Sequence, residues 1–100
     1  MVQGTTPTFV LTLPNAVNLS NADHVVFSIA QGSAIVEKSD TDLTITDHSV
    51  SVYLTQSETL RFQIYSDAKI QLNWTYSDGS RACSTVETII VGENLHKAVI

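Results

Sequence analysis

The stretch from Ala68 to Val91 constrains the fold more than any other. Ala68-Lys-Ile-Gln-Leu-Asn-Trp-Thr-Tyr76 alternates apolar and polar residues, Ser77-Asp78-Gly79-Ser80 interrupts it, and Arg81-Ala-Cys-Ser-Thr-Val-Glu-Thr-Ile-Ile-Val91 resumes a β-type run. Successive side chains of a strand point to opposite faces, so period two broken by Asp-Gly predicts an antiparallel hairpin with one buried and one wet face. The loop length then sets the register. A two-residue loop at Asp78-Gly79 places Ile70 opposite Glu87. Paired residues share a face, so the carboxylate would enter the core at a cost of about several kcal/mol. A three-residue loop, Asp78-Gly79-Ser80, pairs Trp74 with Ser84, Leu72 with Val86 and Ile70 with Thr88, and turns Glu87 to water. This register is the expected one. Gly79 supplies the left-handed residue of a bulge, and Ile89 and Val91 face outward.

The same alternation recurs upstream. Thr8–Leu13 puts Phe9, Leu11 and Leu13 on one face and stops at Pro14-Asn15. His24–Ala30 turns at Gln31-Gly32-Ser33 into Ala34–Lys38, with Val25, Phe27 and Ile29 inward. Leu43–Thr46 turns at Asp47-His48 into Ser49–Leu54, with Leu43, Ile45, Val50, Val52 and Leu54 inward. Thr55-Gln-Ser-Glu58 has the form of a capping box, in which each side chain satisfies a backbone N–H of the first helical turn. Residues 56–61 are therefore expected to be helical, with Leu60 and Phe62 closing one end. Short strands with turns every 8–12 residues and no internal repeat predict one all-β domain over residues 1–100. The expected form is an immunoglobulin-like antiparallel β-sandwich of about seven strands. Trp74 lies on its core face. Residues 92–100 end apolar and read as a docking tail or a frayed end.

Composition narrows the function. The net charge is −5 and the five basic residues, Lys38, Arg61, Lys69, Arg81 and Lys97, stand apart. Nucleic-acid binding needs clustered Lys and Arg, so no nucleic-acid partner is expected. No apolar run reaches a membrane span, and the first residues lack the basic and apolar regions of a secretion signal, which predicts no membrane partner and a chain kept or assembled in a cytosol. Cys83, the single cysteine, excludes an internal disulfide and reads as a small buried or half-buried strand residue. Asp40-Thr-Asp-Leu-Thr-Ile-Thr-Asp47 is the best metal candidate. A strand through Leu43 and Ile45 separates its carboxylates, so a solvated loop is the expected reading. Ser49, His48 and Asp47 do not make a triad, because neighbours on a strand face opposite ways and no nucleophile elbow is present. No catalytic residue, metal or cofactor is expected. Asn18-Leu-Ser20 and Asn73-Trp-Thr75 match the glycosylation pattern by chance. Two interaction surfaces remain: an apolar outer patch of Ile89, Val91, Leu95, Val99 and Ile100, which marks an interface or lies under a loop, and Tyr53 and Tyr65 as sugar-contacting aromatics.

Four segments together carry a resemblance: Gln3-Gly-Thr-Thr-Pro-Thr-Phe9, Val25-Val-Phe-Ser-Ile-Ala-Gln-Gly32, Val50-Ser-Val-Tyr-Leu-Thr-Gln-Ser-Glu-Thr-Leu60, and Ser77-Asp-Gly with Ile90-Val-Gly92. The arrangement resembles a family of small phage and prophage proteins of gut Firmicutes encoded among virion structural genes. It is also similar to the immunoglobulin-like N-terminal domain of siphophage baseplate upper proteins. A basic residue often follows the final glycine in that family, where this chain has Glu93. The resemblance implies a non-enzymatic virion component of a baseplate, tail or capsid decoration, located in the virion. It would be assembled in the host cytoplasm and would contact other virion proteins and itself as a homo-oligomer. A carbohydrate- or receptor-binding β-sandwich is the alternative.

Overall fold

A computed structural model describes residues 1–95. Strands β1 (Thr8–Thr12), β2 (Ala22–Gln31), β3 (Ala34–Ser39), β4 (Leu43–Ile45) and β5 (Ser49–Tyr53) precede helix α1 (Gln56–Thr59). Strands β6 (Asp67–Tyr76), β7 (Arg81–Cys83) and β8 (Glu87–Ile90) follow it. One antiparallel sheet has the order β1-β5-β4, and the other runs β3-β2-β6-β7, with β8 continuing β7 along β6. Their inner faces close into an all-β sandwich. In immunoglobulin lettering β1, β5 and β4 stand as B, E and D, and β3, β2, β6 and β7–β8 as C′, C, F and G. Strand A, which would lie beside B, has no counterpart among the described strands. Residues near the N-terminus instead follow the G side, where Val2 makes a parallel bridge with Gly92.

The alternation places most of the core where expected; Ile45, expected inward, is exposed at the end of the three-residue edge strand β4. Val25, Phe27, Ile29, Val50, Val52, Leu54, Leu72 and Trp74 are all buried. Phe9 of one sheet stacks on Phe27 of the other at 6.1 Å between ring centres. The Trp74 indole N–H donates to the Tyr76 hydroxyl at 3.0 Å, satisfying its donor beside the apolar core. Helix α1 carries the full capping box: Thr55 Oγ1 accepts from the Glu58 N–H, and the Glu58 carboxylate accepts from the Thr55 N–H at 2.8 Å. Phe62 follows it into the core. Among the described residues no helix is long and apolar enough to cross a membrane.

The last hairpin departs from the expected register. Its loop is Ser77-Asp78-Gly79, closed by the Tyr76 N–H donating to the Ser80 carbonyl at 2.9 Å. Gly79 takes the left-handed conformation at φ 88°. Trp74 therefore faces Ala82, not Ser84. Further on, Asn73 pairs with Cys83 but Ile70 pairs with Glu87. The edge strand thus holds one residue more than β6 between those pairs, a bulge that reverses the parity beyond it. Ser84 anchors it: its N–H donates to the Leu72 carbonyl, and its hydroxyl accepts from the Leu72 N–H at 2.9 Å. Ile89 and Val91 consequently turn inward, which corrects their outward assignment. Val91 is fully buried and Ile89 packs against the core, while Ile90 and Val86 are exposed. Cys83 is exposed rather than buried.

Lys38 pairs with Phe27 in the β2–β3 ladder and so shares its inward face. The sandwich accommodates the charge through α1, where Glu58 Oε2 meets Lys38 Nζ at 2.9 Å. Only 18% and 16% of the two side chains is exposed.

Candidate interaction site

The sandwich is open between β1 and the β7–β8 edge, where strand A of an immunoglobulin domain would lie. The opening is a groove of about 710 Å³, walled by Leu11, Leu13, Val17, Ile70, Trp74 and Ile89. Glu87 and Cys83 stand among its lining residues. The bulge explains how Glu87 can face Ile70 without being buried: it lies on an edge strand at the mouth of the groove and keeps its water.

Beside the groove, β1 ends its sheet. The Leu13 N–H donates to the His48 carbonyl, and the Leu54 N–H to the Pro7 carbonyl. With Thr8 opposite Tyr53 and Thr12 opposite Ser49, these bonds fix the phase of the ladder. The odd-numbered residues of β1 direct their backbone groups to β5, and Thr8, Val10 and Thr12 direct theirs to the open side. The Val10 side chain is 64% exposed.

The other expected surfaces are not brought together. Tyr53 is exposed on β5, opposite Thr8. Tyr65 lies beyond α1 at φ 56°, with its N–H donating to the Val91 carbonyl. Its hydroxyl donates to Glu93 at 2.9 Å, and this bond, with the carboxylate's charge, raises the phenol pKa. Glu93 thus orients a tyrosine here. Leu95 is exposed. Val99 and Ile100 lie outside the described residues.

Polar side chains also tie loops to strands and to each other. Asp40, at φ 45°, accepts from the Val25 N–H and lies 3.1 Å from His24 Nδ1. The backbone bond, followed by the His24 contact, lowers its carboxyl pKa. His48 Nδ1 meets the Val17 carbonyl. A shallow hollow of about 270 Å³ on the five-stranded sheet is lined by His24, Glu37, Asn73 and Arg81 among others. Among the described residues no three His, Cys, Asp or Glu side chains gather as a metal site.

Lys38 is the charged residue that strand patterning left unassigned. Its signal was parity: Val36 points inward, so the residue two along must as well, and a lysine there requires an acid. The bulge at Ser84 had no comparable signal, because Ser84-Thr85 suits continuous strand.

The chain matches no family model, no curated protein and no solved structure.

Proposed function

We propose that this chain is a non-enzymatic phage virion protein, a component of a baseplate, tail or capsid decoration that works by binding other virion proteins and copies of itself. One observation carries the reading. Among the described residues the position of strand A beside β1 is vacant, the backbone groups of Thr8, Val10 and Thr12 point outward there, and an apolar groove lies under it. An open edge adjoining an apolar groove is the surface on which proteins add a partner's strand: main-chain hydrogen bonds supply affinity and the groove supplies selectivity. The resemblance to small virion proteins points to the same use. On a particle carrying many copies, weak single contacts suffice, because each further contact is intramolecular in effect.

Mass spectrometry of purified particles from a phage encoding the chain tests this. The expected result is the chain at a fixed ratio to the major structural proteins, retained through a salt wash. Complete particles that lack it would overturn the proposal.

A further inference from the structure

We infer that β1 pairs with β1 of a second copy, antiparallel and about a two-fold axis at Val10. The inference rests on the assembly reading and names one partner for the open edge. Thr8-Phe-Val-Leu-Thr12 reads nearly alike in both directions about its centre. An antiparallel joint centred on Val10 sets Thr8 opposite the second copy's Thr12 and Val10 opposite its own equivalent. These are the residues whose N–H and C=O point to the open side, so every free backbone group of the edge finds a partner. A register shifted by one residue would face groups already committed to β5. Thr–Thr and Val–Val pairs are favourable neighbours across strands.

Edge protection singles out the same strand. Natural edges are blunted by charge, shortness, proline or a bulge. Strand β3 carries Glu37 and Lys38. Strand β4 has only three residues and follows Asp40 and Asp42. The β7–β8 edge is bulged at Ser84 and carries Arg81 and Glu87. Strand β1 has none of these within it, since Pro7 and Pro14 stand outside its bounds. Charge favours a second copy in particular. Two chains of net charge −5 repel, yet residues 1–22 contain no Asp, Glu, Lys, Arg or His, so the paired strands themselves bring no like charges together, and Glu87 of the groove stands on the other sheet. A joint of two five-residue strands buries well under the ~1,200 Å² of a stable complex. The pairing is therefore weak and concentration-dependent, as suits repeated copies on a scaffold.

Sedimentation equilibrium of the full chain from roughly 10 µM to roughly 1 mM, the range of weak association, tests this. The mass should rise from 10.9 kDa toward twice that value. Val10→Lys, which adds a charge at the axis, and Val10→Pro, which removes an outward N–H without touching the β5 ladder, should each weaken the association at least tenfold. Thermal melts followed through buried Trp74 show that both variants remain folded. In a Cys83→Ser background, Val10→Cys should oxidise to a disulfide-linked dimer, and Tyr53→Cys, on the neighbouring strand, should not. A chain that stays monomeric at the highest concentration overturns the inference, as does a dimer indifferent to both Val10 variants. A monomer that is nevertheless found in particles sinks self-pairing and leaves the virion reading standing. A dimer absent from particles does the reverse.

Discussion

Replacing Glu58 by glutamine separates two tasks that one carboxylate performs. Its Oε1 closes the capping box on the Thr55 N–H, and its Oε2 meets inward-facing Lys38 at 2.9 Å. Glutamine can still reach back to the cap but offers Lys38 no charge. An exposed pair contributes about 0.2–1 kcal/mol, and breaking a fully buried one costs about 3–5 kcal/mol. With less than a fifth of either side chain exposed, Glu58→Gln should cost about 2 kcal/mol, between those limits. Glu58→Ala also removes the cap contact and should cost about 1 kcal/mol more. For a domain of this size about 2 kcal/mol lowers Tm by roughly 10 °C. Lys38→Met keeps the apolar stem against the core. Combined with Glu58→Gln it should return stability close to that of the parent, because a well-packed apolar replacement removes the need for the pair. Urea unfolding followed by Trp74 fluorescence gives all four corners of the cycle. Partial burial pushes the Glu58 pKa up, but the Thr55 N–H and Lys38 outweigh it and hold it below its ordinary 4.5. The stability it contributes is thus present above that value and fades as pH falls through the lower folded value. In Glu58→Gln that acid-side loss should shrink. If the two single changes add within about 0.5 kcal/mol, Lys38 and Glu58 are not coupled and the account of this end of the sandwich is wrong.

Thr59 is buried, its Oγ1 accepting from the Gly4 N–H at 3.0 Å and lying 2.8 Å from the Thr5 carbonyl as a donor. Thr59→Val keeps the volume but orphans Gly4, so stability should fall by about 1–3 kcal/mol, and amide exchange at Gly4 should quicken more than at Val25. Cys83 lies on the rim of the groove and is exposed. A small maleimide should label it in the native state at nearly the rate seen in urea, whereas strong protection would mean that the rim is covered.

Much of the sandwich was legible because period two is a local signal. Phe9, Phe27, Val52 and Trp74 each announce a buried face through their neighbours at i±2. The capping box at Thr55-Glu58 was equally plain, since its two partners are three residues apart. What failed was non-local. The parity of Ile89 and Val91 depends on a bulge at Ser84 held by hydrogen bonds to Leu72, and no residue in Ser84-Thr85-Val86 marks an inserted position. The expected register also assumed that Glu87 opposite Ile70 must be buried. That holds inside a sheet and fails at the mouth of an open groove. The groove itself, lying where no described strand sits beside β1, leaves no mark in a linear pattern.

Residue-by-residue amide exchange along β1 in dilute solution tests the open edge most directly. Exchange should be slow at Phe9 and Leu11, which donate to β5, and at Leu13, which donates to His48, and fast at Val10 and Thr12, with those two slowing as the protein is concentrated. Equal protection along the strand at every dilution, or the opposite alternation, would contradict it.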